Sequence, residues 1–134
     1  MKGGMTMDSR KLPDAEFEIM KAIWQMEEPV TSAQLTERLR TTLPRKDWKP
    51  QTILTMLTRL EQKGFLRSEK CGRARAYYVL IPQDDYLQIE AASFRRRFSG
   101  GRFTGLVKAL CDTDDLTEAD IADLQRWLNE RSKS

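Results

Sequence analysis

The chain has 134 residues, 40% apolar and 32% charged, with a mean hydropathy of −0.61 and a formal net charge of +3; this suffices for one small core, with or without an oligomerisation extension. It contains no histidine, which excludes Ser-His-Asp and Cys-His nucleophilic sites and any histidine-ligated metal. Its two cysteines, Cys71 and Cys111, stand far apart in unlike contexts and make neither a disulfide framework nor a zinc site.

No apolar run approaches the roughly 18 residues of a membrane span, and Met1–Met7 has no apolar signal region. A cytoplasmic protein with a short disordered tail over 1–11 is expected. Acidic pairs such as Glu27-Glu28 and Asp84-Asp85 read as solvated surface, so neither enzyme activity nor a cofactor or metal is expected. Residues 1–82 hold 15 Lys and Arg against 10 Asp and Glu, residues 83–134 hold 8 against 10, and residues 45–75 hold 9 against 3. Positive charge gathers in one segment, as binding to a phosphate backbone requires.

Leu12-Pro13-Asp14-Ala15-Glu16 opens the first expected helix, with proline near its first position and acids where the helix dipole favours them. Phe17, Met20, Ile23 and Trp24 form its apolar side, widened by Ile19, and Glu27-Glu28-Pro29 ends it. Thr31-Ser32-Ala33-Gln34 fits a capping box for a second helix, which buries Leu35 and Leu39 and ends near Leu43-Pro44. A loop through Arg45-Lys46-Asp47 leads to Trp48, expected to pack at the entry to a third helix.

That third helix starts at Pro50 and stops at Gly64, residue types suited to a first helical position and a left-handed C-cap. Ile53, Met56, Leu57 and Leu60 fall on one side, with Leu54 at its margin; Gln51, Thr52, Thr55, Thr58, Arg59 and Gln62 fall on the other. The outward face has hydroxyl, amide and guanidinium groups and no carboxylate, a set that can hydrogen-bond base edges and phosphates in a major groove. Lys49, Gln51, Thr52, Thr55 and Arg59 are the candidate DNA-binding residues on and beside it.

Phe65–Lys70 and Arg75–Ile81 read as two strands joined through Cys71-Gly72-Arg73-Ala74, with Arg73 and Arg75 as candidate phosphate contacts. Three helices and a hairpin make a winged helix-turn-helix DNA-binding domain over 12–82, in a chain that is mainly α (α+β). Residues 83–131 form a helical dimerisation region. There Leu87, Ala91, Phe94 and Phe98 recur at helical spacing, Gly100-Gly101 interrupts, and Phe103, Leu106, Val107 and Leu110 make a second stripe. Thr117 caps a last helix bearing Ile121, Leu124 and Leu128, with Asp120 completing a weaker box.

Helices this short depend on packing for stability. A C2 homodimer through residues 86–130 is therefore expected, with Leu87, Phe94, Phe98, Phe103, Leu106, Val107, Leu110, Ile121, Leu124 and Leu128 at its interface. Two reading helices related by a two-fold axis call for an inverted-repeat operator in double-stranded DNA, with half-sites spaced by whole helical turns. Arg95-Arg96-Arg97 reads as a solvated flank. Trp24, Trp48 and Trp127 read as core or interface, Cys71 as an ordinary exposed residue, and Cys111 as an apolar filler.

In order and spacing, several pieces resemble the BlaI/MecI penicillinase-repressor family of bacterial transcriptional regulators. They are Asp14-Ala15-Glu16-Phe17-Glu18-Ile19-Met20 with Trp24; Asp47-Trp48-Lys49-Pro50-Gln51-Thr52-Ile53 with Thr55 and Arg59-Leu60; Lys63-Gly64-Phe65; Tyr77-Tyr78; and Phe98-Ser99-Gly100-Gly101. The resemblance spans Leu12 to Leu128. It implies a dimeric repressor on an inverted repeat with TACA/TGTA arms, at promoters of resistance or stress genes. It also implies operator reading by Gln51, Thr52, Thr55 and Arg59, with Arg73 and Arg75 of the wing bracing the backbone. In the β-lactam-responsive branch, a membrane sensor protease triggers cleavage of an Asn-Phe bond in the C-terminal helices; the aligned pair here is Ala109-Leu110. The copper-responsive branch ends in Cys-x-Cys motifs, which this chain lacks.

Two other readings stay open. One is a winged-helix regulator that senses a small molecule; such proteins often dimerise through a helix ahead of the reading unit, where this chain has only about a dozen residues. The other is a winged-helix protein–protein interaction module, which would bind no duplex DNA in a salt-dependent way.

Overall fold

The computed structural model describes residues 10–42, 48–98, 103–112 and 116–133. Helix α1 (Asp14–Trp24), a short strand β1 (Val30–Thr31), α2 (Ser32–Thr42) and α3 (Pro50–Gln62) come first. They are followed by β2 (Leu66–Cys71), β3 (Ala74–Val79), α4 (Gln83–Arg97), α5 (Phe103–Cys111) and α6 (Glu118–Ser132). Residues 1–9 of the expected tail, the helix end at Leu43-Pro44, the Arg45-Lys46-Asp47 loop and the Gly100-Gly101 interruption lie outside the described residues.

Local signals set the helix ends. Pro13 occupies the N-cap of α1, one place earlier than the first helical position, with Asp14 and Glu16 in the first turn. Ahead of α2, the Thr31 N–H donates to Gln34 Oε1 at 3.0 Å and the Gln34 N–H to Thr31 Oγ1 at 3.2 Å, a reciprocal capping box. Pro50 opens α3. At its other end Gly64 adopts φ +84°, so the Phe65 N–H reaches the Leu60 carbonyl at 2.9 Å and the Gly64 N–H that of Glu61 at 3.0 Å. This Schellman closure needs the left-handed conformation that glycine adopts freely.

The sheet is antiparallel and three-stranded, in the order β1-β3-β2. Register runs from Leu66 opposite Val79 to Cys71 opposite Ala74, leaving Gly72 and Arg73 as the turn. Gly72 has φ +64° and Arg73 does not, the pattern of a type II′ hairpin. The sequence predicts two strands; β1 is a third, pairing Val30 with Tyr77 and Thr31 with Ala76. Two residues are too few to display a period of their own. Ile19, Met20 and Ile23 of α1, Leu35 and Leu39 of α2, and Ile53, Leu57 and Leu60 of α3 bury together over Phe65 and Leu66. Three helices over this small sheet make a winged helix-turn-helix.

The first compact unit continues past the boundary expected after residue 82 and ends at Arg95. The reason is Tyr86, 1% exposed, on α4. Its ring packs within 5.8 Å of Phe17, Trp24 and Phe65. Its hydroxyl accepts from the Leu12 N–H at 2.8 Å and donates to Glu90 Oε2 at 2.7 Å. Ile89 and Ser93 bury on the same side of α4, and Trp24 Nε1 donates to the Ile81 carbonyl at 3.0 Å. Lys11, assigned to the tail, reaches Glu90 at 4.0 Å.

The second unit contains α5 and α6, and neither helix buries a residue. Thr117 and Asp120 form the capping box of α6. Cys111, at the end of α5, is exposed in the single chain. Among the described residues no helix is long and apolar enough to cross a membrane.

Burial raises the Tyr86 hydroxyl above the usual phenol range, reinforced by its hydrogen bond to Glu90 and opposed by the Leu12 amide. A group whose folded pKa is raised contributes stability that is complete below its unfolded value, near 10, and is lost as pH climbs above it. The full chain should lose stability between about pH 10 and 12, and Tyr86→Phe should flatten that slope in urea melts recorded across the range. Equal alkaline slopes in both proteins would contradict the assignment. A chain ending at Pro82 should fail to fold cooperatively, whereas one ending at Arg95 should unfold in a single transition.

Candidate nucleic-acid interface

Helix α3 is seated by Ile53, Leu57 and Leu60, all fully buried, with Met56 half-buried beside them. Burying one face fixes the other. Gln51, Thr55 and Thr58 stand exposed along the opposite side, Thr52 is half-buried at one edge, and Lys49 is exposed at the N-cap. Trp48 is buried at the entry to the helix, where the sequence places it.

The threonines are more constrained than their polarity implies. Thr55 Oγ1 donates to the Gln51 carbonyl and Thr58 Oγ1 to the Leu54 carbonyl, each at 3.0 Å. Their hydroxyl hydrogens are turned back on the helix, so outward they offer acceptor lone pairs and methyl groups. Gln51, with both a donor and an acceptor, is a side chain on this strip that can bond an adenine edge in two places.

Arg59 has an intramolecular role that sequence alone could not supply. Glu16 of α1 is buried, its side chain 4% exposed, and it forms an ion pair with Lys63 at the C-cap of α3. Arg59 Nη1 lies 4.0 Å from the same carboxylate while 56% of its side chain remains exposed. Arg59 thus sits at the junction of the outward face and the α1 contact. One buried acid ties down the C-terminal turn of the helix.

The wing is laced to the same helix. Arg75 Nε donates to Ser68 Oγ at 3.0 Å, and Ser68 Oγ donates to Glu61 Oε2 of α3 at 2.8 Å. Arg67 lies 4.1 Å over the Tyr78 ring and 3.0 Å from Glu69. Arg73 is exposed at the turn, beside exposed Lys70 and Cys71. Tyr77, buried beneath the hairpin, has its hydroxyl pushed up by burial and then by Glu61, with Arg75 acting the other way. The structure therefore brings Lys49, Gln51, Thr52, Thr55 and Arg59 onto one helix and its cap, and places Arg73 and Arg75 on the adjoining hairpin. Glu16, Glu61 and Ser68, which hold these groups, carry no signal in a reading by spacing.

Comparison with known proteins bears on the family of the chain. Residues 12–130 match the family model described as Penicillinase repressor. A penicillinase repressor of Bacillus licheniformis is 36% identical over 124 residues, covering 90% of this chain and 94% of that protein. The methicillin resistance regulatory protein MecI of Staphylococcus aureus is 31% identical over 127 residues, covering 93% and 100%. The solution structure of the DNA-binding domain of the repressor BlaI is 38% identical, covers 57% of this chain and 89% of its own, and superposes with a TM-score of 0.49.

Removing Lys63 leaves the buried Glu16 carboxylate with only the half-exposed Arg59, 4.0 Å away, to offset its charge, whereas removing Arg59 leaves the closer Lys63 pair in place. Lys63→Ala should cost on the order of 3 kcal/mol of stability, and Arg59→Ala below about 1 kcal/mol. Urea unfolding of the full chain at fixed concentration measures both. Equal costs would contradict the ranking.

Proposed function

The chain belongs to the penicillinase-repressor family, and from that premise we propose that it acts as a homodimeric, sequence-specific DNA-binding repressor on a palindromic operator. The family is one of transcriptional repressors, not of enzymes. The observation that carries the reading is the outward strip of α3. Apolar side chains seat the helix, and the exposed remainder offers amide, hydroxyl and guanidinium groups flanked by the cations of the wing. Phosphate contacts by Lys49, Arg73 and Arg75 position the protein, and Gln51, Thr52, Thr55 and Arg59 face the base edges. The relatives' names, penicillinase repressor and methicillin resistance regulatory protein, support antibiotic-resistance genes as the ones controlled. The site of action is the cytoplasm, where the DNA is.

A second copy is the partner that α4, α5 and α6 call for. Leu87, Phe98, Phe103, Val107, Leu110, Ile121 and Leu128 are all exposed in the single chain, with Phe94, Leu106 and Leu124 half-buried. Apolar stripes on two helices that bury nothing of their own gain stability by packing against a two-fold mate. Ala109 and Leu110 are exposed on α5. A sensor protease opening that bond would cut through the stripe and separate α6 from the reading unit.

Selection of duplexes from a random pool by the full chain should return an inverted repeat, bound with an affinity that falls steeply with salt. Arg73→Ala should weaken binding uniformly across sequences and reduce the salt slope by about 1. Leu110→Asp should sediment as a monomer and lose roughly a hundred-fold or more in affinity for the selected duplex. A monomeric parent chain that selects no symmetric sequence would overturn the proposal.

A further inference from the structure

One residue on the reading side of α3 does not fit a purely polar face. Leu54 is 41% exposed, although its neighbours Ile53 and Leu57 on the same helix are fully buried. It stands three residues after Gln51 and four before Thr58, so it adjoins the outward strip. It also edges an open groove against α2, lined by Ser32, Ala33, Thr36, Glu37, Arg40 and Pro50. Beside the leucine, Thr55 and Thr58 have turned their hydroxyl hydrogens back to main-chain carbonyls. The centre of the helix is thereby depleted of donors and enriched in methyl groups.

In a major groove the base feature that rewards an apolar side chain is the C5-methyl of thymine. We propose that Leu54, with the Thr55 and Thr58 methyls, forms a thymine-methyl reader and that Leu54 is a specificity-determining residue of this chain. The inference rests on the DNA-binding reading above and names what the middle of that helix recognises. Gln51 and Arg59 supply hydrogen bonds at either end, and the stretch between them discriminates by shape and apolar contact. Cytosine, which lacks the methyl, is rejected there without an opposing charge.

Deoxyuridine substitution tests this directly, because it removes one methyl and leaves base pairing intact. The probe is the duplex recovered by selection with the full chain, with each thymine in turn replaced by deoxyuridine in both half-sites. For the parent protein, one symmetric pair of replacements should weaken binding by about four-fold per half-site, the value of one buried methyl. Leu54→Ala should lose a similar amount on the unmodified duplex and show little further loss on that deoxyuridine duplex. Leu54 is exposed, so the variant should keep the parent's circular dichroism and melting temperature. If Leu54→Ala retains the parent's full sensitivity at every thymine, or if no thymine methyl matters to the parent, the methyl reader is wrong while DNA binding stands. If selection yields no preferred duplex, the repressor reading fails and takes this inference with it.

Discussion

The seating of α3 is the constraint on which the rest depends. Ile53, Leu57 and Leu60 lie where α1, α2 and the sheet converge, and all three are fully buried. Burial of three such side chains contributes several kcal/mol, on the order of 2 kcal/mol each. Any rotation of the helix about its axis would trade that burial for solvent. The orientation of Gln51, Thr55 and Thr58 follows from it. The outward face is the complement of the buried face.

Polar ties then fix the position of the helix along its axis. Glu16 holds the C-terminal turn through Lys63, while Glu61 and Ser68 connect the same turn to Arg75 on the wing. Arg59, beside Glu16, and Arg75, linked through Ser68 to Glu61, are thus partly restrained, which lowers the freedom these long side chains would lose on binding. Tyr86 extends the same rigidity into α4, because its hydroxyl bridges the N-terminal segment at Leu12 and the next turn of its own helix at Glu90. The three-helix unit and the start of α4 are one body.

Much of this is legible in the sequence because its signals are local. Pro50 and Gly64 bracket α3, Thr31 and Gln34 announce α2, and Gly72 between β-prone runs marks the hairpin. Each depends on residues within a few positions of one another. What stays hidden depends on distant partners. Strand β1 exists only because Tyr77 and Ala76 pair with it. Tyr86 meets Leu12, Phe17, Trp24 and Phe65, which no periodicity connects. Helix α4 carries two stripes out of phase, Tyr86-Ile89-Ser93 and Leu87-Ala91-Phe94-Phe98, and the more apolar second one masks the first. Arg59 reads as wholly available for DNA because its neighbour Glu16 lies on another helix. The exposure of Leu54 likewise shows only once the helix is in place.

The central claim is that the outward strip of α3 enters the major groove twice, in two symmetry-related copies. A photo-crosslinking group attached at Thr55→Cys, in a full chain with Cys71→Ser and Cys111→Ser, reports this position by contact. On the selected duplex it should label bases in two major-groove segments about one helical turn, or a whole multiple of it, apart, on one face of the DNA. Labelling confined to a single segment, or transfer to protein with none to bases, would contradict the account.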